Sequence, residues 1–169
     1  MTDIKAAFPT PAIHVNNYLW DSLKSIDATL DAQYDYRPFF PLADAVGGTQ
    51  GWGSKPYVVY DQLMKFRPKA FYGIHKAQIW YWVRGQADDA IGWTTAIAHI
   101  LDREDSSARD LNEWLRDNDP TAGIYYHNIK VFQVDSGKDE RMDLSVKQTY
   151  TESMIIEVTY HITKDNGFS

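Results

Sequence analysis

Residues 144–162 read LSVKQTYTESMIIEVTYHI, and this stretch alternates between two kinds of side chain. Its odd positions are nearly all polar, whereas its even positions are Leu144, Val146, Gln148, Tyr150, Glu152, Met154, Ile156, Val158, Tyr160 and Ile162. A period of two is typical of a β-strand with one buried and one hydrated face. A half-hydrated strand favours an antiparallel sheet. One strand of this length would extend about 60 Å, so we expect a bend or bulge near residues 148–152.

Further strands are predicted upstream of this stretch. Segments 57–60 and 70–84 are rich in β-branched and aromatic residues and are separated by a proline-containing turn, which predicts an antiparallel pair. Segment 124–134 is again typical of extended structure. The polar segment 135–143 contains glycine and predicts a hairpin tip or projecting loop before the final strand.

Helices are predicted before and between these strands. Thr10 is expected to cap a helix that begins at Pro11 and continues to about residue 28, because apolar residues recur every three or four positions. Asp88 is expected to cap a second helix, and Ser107 is expected to start a shorter third one. The element order contains no βαβ repeat. It predicts an α+β fold in which an antiparallel or mixed β-sheet packs against an N-terminal helix and a central helix pair.

The chain has 169 residues, a length that fits one domain, and we predict a single α+β domain over residues 1–169. Two long loops are expected within it, at about 31–55 and 135–143. The first contains two prolines and a glycine-rich run, a composition that breaks regular structure. Loops of this length in compact domains usually carry a function or are mobile.

Composition disfavours several classes of function. The sequence has no cysteine, which excludes disulfides, a thiolate nucleophile and cysteine-ligated metals. The net charge is -6 and the basic residues are scattered, so sequence-specific or nonspecific nucleic-acid binding is not expected. No stretch approaches the roughly 18 apolar residues that cross a bilayer, and the N-terminal residues lack the pattern of an export signal. We therefore expect neither a nucleic-acid ligand nor a membrane segment.

The sequence offers no convincing site for catalysis, a metal or a cofactor. No two histidines have the spacing of a metal-binding pair. The histidines are His14, His75, His99, His127 and His161. The glycine-rich segment 48–55 reverses the Lys–Ser order of a phosphate-binding loop and precedes a strand, so nucleotide binding is not expected. We expect no catalytic residue, no metal and no cofactor, and we do not expect an enzyme.

Two of these histidines depend on the pairing of predicted strands. His127 and His161 would meet only in one register of the sheet, where Asp135 or Glu157 could accompany them. In any other register they are histidines on the polar face of a strand. The sequence leaves this choice open.

The most concentrated aromatic feature is the strand segment 79–83, which reads IWYWV. Alternation places Trp80 and Trp82 on one face and the remaining residues on the other. A sheet with large apolar groups on both faces needs another layer of structure packed against each face. The predicted helices cover one face, and either the N-terminal helix or another subunit covers the second.

The layout resembles the tail terminator, or tail completion, proteins found in the neck of long-tailed and particularly contractile-tailed bacteriophages. The resemblance covers most of the chain and is carried by segments rather than by an invariant signature. These segments are Tyr18–Trp20 in the first helix, Lys55–Tyr60 after a glycine-rich loop, the strand Gln78–Arg84, Asp110–Leu115 and the alternating last strand.

The resemblance implies a structural virion protein of the phage neck, assembled in the host cytoplasm. It implies a hexameric ring that caps the tail tube, ends its polymerisation and joins the tail to the head connector. The partners would be the tail tube protein, the head–tail connector and neck proteins, and the tail sheath, with DNA passing through the ring. The residues expected at the subunit or ring interface are Trp52, Trp80, Trp82, Asp135, Lys138, Asp139, Glu140 and Arg141. The loops at 31–55 and 135–143 are expected to contact neighbouring rings.

Other functions fit the same sequence. The chain would be a different neck or head-completion connector protein if it bound another ring. It would be a small-ligand or carbohydrate-binding module if Trp52, Trp80 and Trp82 formed stacking platforms in a concave pocket. An enzyme would require histidines and carboxylates from distant segments to converge in a cleft.

Overall fold

The computed structural model describes residues 10–42, 55–65, 74–103, 106–138 and 150–163. The helices in this part of the chain are α1 (Pro11–Ile26), α2 (Leu30–Gln33), α3 (Ala87–Leu101) and α4 (Ser106–Asn118). The strands are β1 (Phe39–Pro41), β2 (Tyr57–Lys65), β3 (Ile74–Gly85), β4 (Ile124–Lys138) and β5 (Tyr150–Ile162).

The strands form one five-stranded mixed sheet in the order β1-β2-β3-β5-β4. β1 runs parallel to β2, and every other neighbouring pair is antiparallel. The antiparallel pair that the sequence predicts, β2 with β3, is present, and β4 and β5 form a second antiparallel pair. With helices packed against the sheet, the architecture confirms the predicted α+β class.

One face of the sheet carries the main hydrophobic core. Ile79 of β3 pairs with Ile156 of β5, and both side chains are completely buried. Alternate residues of both strands continue this face, which we call the packed face. Its buried members on β3 and β5 include Ala77, Ile79, Tyr81, Val83, Met154, Ile156, Val158 and Tyr160. The buried residues of α1, α3 and α4 belong to the same cluster, so these helices lie on the packed face.

Hydrogen bonds fix α1 against the packed face. The Tyr81 hydroxyl donates to Asn16 Oδ1 over 2.6 Å, and both residues are completely buried. The Ala12 amide donates to Gln62 Oε1 on β2 over 2.9 Å. The N-terminal helix therefore shares one face of the sheet with α3 and α4 instead of covering the second face.

The helix ends differ in detail from the sequence prediction. Pro11 occupies the first turn of α1 as predicted, but Thr10 makes no side-chain capping hydrogen bond, and the helix ends at Ile26. Gln86, not Asp88, is the N-cap residue of α3. Asp88 lies in the first turn instead, where a carboxylate is favoured by the positive end of the helix dipole.

Both segments predicted as long loops contain regular structure. Segment 31–55 begins within α2 and contains β1, and its residues 43–54 lie outside the described chain. β4 continues to Lys138, because Asp135 pairs with Ser153 and Lys138 pairs with Tyr150 on β5. Backbone pairing has overridden the polar composition of residues 135–138. Residues 139–149, with the rest of the predicted loop, also lie outside the described chain.

The bend predicted in the last strand is not seen at residues 150–152, which pair regularly with β3. Residues 148 and 149, where the bend was also predicted, lie outside the described chain. The pairing of β5 with its other neighbour is irregular, with bulges in β4 between Tyr126 and Asn128 and between Val131 and Val134. Bulges of this kind bend and twist the strand that contains them.

Candidate assembly surface

The second face of the sheet carries a group of apolar side chains from β1, β2, β3 and β5. Trp80 lies opposite Ile155, and Trp82 lies opposite Val59, which in turn lies opposite a β1 residue. Paired residues of neighbouring strands project to the same side of a sheet. We call this group the open face, and it consists of Phe40, Tyr57, Val59, Trp80, Trp82 and Ile155.

The two tryptophans form the centre of the open face. Their ring centroids lie 6.1 Å apart with an interplanar angle of 35°. Val59 beside them is only 4% exposed although it is not part of the main core cluster. Both tryptophans remain half-buried, so apolar ring surface is still in contact with solvent. A second, smaller apolar cluster therefore lies outside the core.

The indole nitrogen of Trp80 is shielded from solvent and has no hydrogen-bond partner within the described chain. A buried donor left without a partner costs roughly 1–3 kcal/mol. Tryptophan and tyrosine are enriched at protein interfaces because they combine a large apolar ring with one polar group. The open face thus has exposed apolar ring surface and one indole N–H group that lacks a hydrogen-bond acceptor within the described chain.

Charged side chains surround this aromatic centre. The Arg84 guanidinium lies 5.9 Å from the centroid of the Tyr57 ring at one end. Lys76 and Glu157 form an ion pair of 3.2 Å at the other end. Asp61 is the register partner of Trp80 on β2. An apolar aromatic centre with a charged rim of both signs is the usual anatomy of a protein–protein interface.

The other described tryptophans pack between helices or against the turn after α1. Trp20 and Trp93 contact each other and Tyr34 through ring centroids 5.6–6.5 Å apart. Trp114 donates its indole hydrogen to Asp21 over 3.1 Å and so joins α4 to α1. Intramolecular packing explains these rings. It does not explain Trp80 and Trp82, because no helix of the described chain packs on the open face.

The exposed edge of the sheet is closed at one point by α4. The Asn112 side chain donates to the Tyr126 carbonyl over 2.8 Å, and the Tyr126 amide donates to Asn112 Oδ1 over 2.9 Å. This side chain occupies the backbone groups that another strand would use on edge strand β4. Strand addition is blocked at this position of β4.

The residues predicted at the interface lie in different parts of the molecule. Trp80 and Trp82 come together on the open face. The backbone of Asp135 lies in the register row that contains Ser153 and Trp82, and Lys138 lies at the end of β4. The other predicted positions lie outside the described chain, and they are Trp52, Asp139, Glu140 and Arg141.

The sequence prediction did not include four members of the open face. Ile155 had a visible signal, because it is the one apolar residue among the odd positions of segment 144–162. Tyr57 and Val59 are two residues apart, so their side chains lie on the same face of β2. Which face of the sheet this is depends on the register of β2 against β3. Phe40 follows from no local pattern, since it joins the sheet through the parallel pairing of β1 with β2.

No known protein family matches the sequence, and no curated protein matches it. None of the described helices is long and apolar enough to cross a membrane. Among the described residues, no three or more histidine, aspartate or glutamate side chains are grouped to hold a metal ion.

A cavity of about 450 Å³ lies between the end of α4 and the start of β4, and its lining residues include Asp119 and Tyr125 but neither Trp80 nor Trp82.

Proposed function

We propose that this chain is a structural assembly protein whose open face binds a neighbouring protein subunit. The observation that carries the proposal is the half-buried aromatic face of the sheet, on the side opposite α1, α3 and α4. Large aromatic residues bury about 150–250 Å² each, so paired tryptophans supply a substantial part of a specific contact. The charged rim then selects the partner and its orientation.

The specific role that we propose is that of a tail terminator in the neck of a long-tailed bacteriophage. Subunits would form a hexameric ring that caps the tail tube, ends its polymerisation and joins the tail to the head connector. A closed ring requires two different, complementary patches on each subunit. The open face is suited to be one of them. The net charge of -6 would allow DNA to pass without adhering to the ring.

Polymerisation of purified tail tube protein tests this role directly. Tube lengths are measured by negative-stain electron microscopy with and without the chain. We expect the wild-type chain to cap tube ends and limit their length, and we expect Trp82→Glu to lose this effect because it places a charge in the apolar centre. Ile91→Glu is the matched control, since Ile91 is a 44% exposed apolar residue of α3, in the helical layer.

The outcomes separate the alternatives. Unlimited tube growth with the wild-type chain would contradict the terminator role, and binding to another neck ring would then indicate a connector protein. The neighbouring Trp80 and Trp82 rings also suit carbohydrate binding, which predicts quenching of tryptophan fluorescence by sugars and no effect on tubes. That the chain is not an enzyme stays a prediction.

A further inference from the structure

Two histidines far apart in sequence meet across β4 and β5. His127 Nε2 lies 2.6 Å from His161 Nδ1, and the ring centroids are 4.8 Å apart. The register passes from the Tyr126–Tyr160 pair directly to the Asn128–Thr159 pair, so His127 is the extra residue of a β-bulge. A bulge changes the direction of a side chain, and from this position the His127 ring reaches that of His161.

The Tyr125 ring contacts both imidazole rings. Its centroid lies 5.2 Å from that of His127 and 5.5 Å from that of His161. His127 is exposed and His161 is partly exposed, so the contact between the two nitrogens is open to solutes. Two ring nitrogens thus face each other at the surface, on two paired strands.

The two facing nitrogens share one hydrogen. A nitrogen–nitrogen hydrogen bond contains one hydrogen, so one ring donates and the other accepts through its lone pair. Neutral imidazole is the form that binds metal ions. The accepting nitrogen therefore already has the lone pair that a metal ion requires, and the donating nitrogen has one once its hydrogen has moved.

We propose that His127 Nε2 and His161 Nδ1 together bind one divalent transition metal ion of the zinc, nickel or copper class. Imidazole is a preferred ligand of these metals. A zinc–nitrogen distance of about 2.0–2.1 Å separates two ligands of a tetrahedral ion by about 3.3 Å. Rotation of the exposed rings supplies the opening of less than about 1 Å that this requires.

Binding leaves the charge of both rings unchanged. The hydrogen between the rings moves, through solvent, to the outer nitrogen of its own ring, and the metal occupies the position that it leaves. The described chain supplies two ligands here and no third histidine or carboxylate. The remaining coordination positions face solvent and take water or a ligand from another molecule.

Calorimetric titration of the full chain with zinc chloride, and separately with nickel chloride, tests this proposal. The variants are His127→Gln and His161→Gln, with His99→Gln as the control because His99 is exposed on α3, away from the pair. We expect one site in the wild type and in the control. Each variant of the pair should bind at least about tenfold more weakly, since even supporting residues of metal sites contribute about 10–100-fold.

A spectroscopic measurement separates loss of a ligand from loss of structure. With Cu²⁺, the electron paramagnetic resonance spectrum of the wild type should show coupling to two imidazole nitrogens and that of each variant to one or none. Circular dichroism confirms that the variants are folded. Absence of a wild-type site, or equal affinity of His127→Gln and the wild type, would overturn the proposal.

Discussion

Substituting Tyr81 with phenylalanine tests how α1 is attached to the sheet. The Tyr81 hydroxyl donates to Asn16 Oδ1 over 2.6 Å, and neither residue is exposed. Burial raises the pKa of Tyr81 well above its ordinary value, so the hydroxyl keeps its hydrogen throughout the accessible pH range. The variant removes only the donor and leaves the ring in place.

The expected loss of stability follows from the acceptor that is left behind. The Asn16 side chain has no other described hydrogen bond, and its nitrogen is buried without a partner. An unsatisfied buried acceptor costs about 1–3 kcal/mol, which we expect as the decrease in the free energy of unfolding. For a chain of this size the melting temperature falls by roughly 2–4 °C for each kcal/mol.

Urea denaturation followed by tryptophan fluorescence measures this change. The double variant Tyr81→Phe with Asn16→Leu removes both partners and the unpaired nitrogen, so it should be more stable than Tyr81→Phe alone. A Tyr81→Phe chain whose stability is within about 0.5 kcal/mol of the wild type would refute the reasoning. In that case α1 would be held on the packed face by its buried apolar residues and not by this hydrogen bond.

Two further predictions concern the edge strand and a buried histidine. Asn112→Ala leaves the backbone amide and carbonyl of Tyr126 without their described side-chain partners, so we expect a loss of about 1–3 kcal/mol and faster hydrogen exchange at the Tyr126 amide. Unchanged exchange at that amide would show that Asn112 does not close the edge. His14, which contacts the Tyr126 hydroxyl and Asp119, has a pKa that burial lowers from its ordinary value of 6.5, against a smaller opposing effect of Asp119. The unfolded chain therefore takes up a proton first, and the free energy of unfolding should decrease as the pH falls below about 6.5 toward the lowered pKa. His14→Gln should weaken this dependence in denaturation curves measured between pH 7 and pH 5, and identical slopes for both chains would contradict the assignment.

The central strands could be predicted because their sequence patterns are local. Segment 144–162 alternates over most of its length, and the buried residues of β5 fall on the predicted even positions, from Glu152 to Tyr160. Aromatic and β-branched residues likewise indicated β2 and β3. The alternation of polar and apolar side chains within one strand is a local pattern, so the sequence of that strand is enough to predict which face is buried.

Features that depend on tertiary pairing were not predictable in the same way. Residues 135–138 are polar, yet they extend β4 because β5 offers backbone partners. The contact between His127 and His161 depends on the register of β4 against β5 and occurs at a bulge, neither of which a local pattern indicates. Trp80 and Trp82 were predicted to share a face, but which face the N-terminal helix covers is decided by contacts such as that of Asn16 with Tyr81. The candidate surface could therefore be named from the sequence only in part.

The mass of the purified chain in solution tests the central claim that the open face mediates assembly. Light scattering on a sizing column, with and without purified tail tubes, compares the wild type with Trp82→Glu, the milder Ile155→Thr and the control Ile91→Glu. The account predicts that the wild type and the control form a hexamer of the 19.4 kDa chain, free or on tube ends, while the two open-face variants remain monomers. The claim would be contradicted by a wild-type chain that stays monomeric and does not bind tubes. It would also be contradicted by open-face variants that assemble as the wild type does.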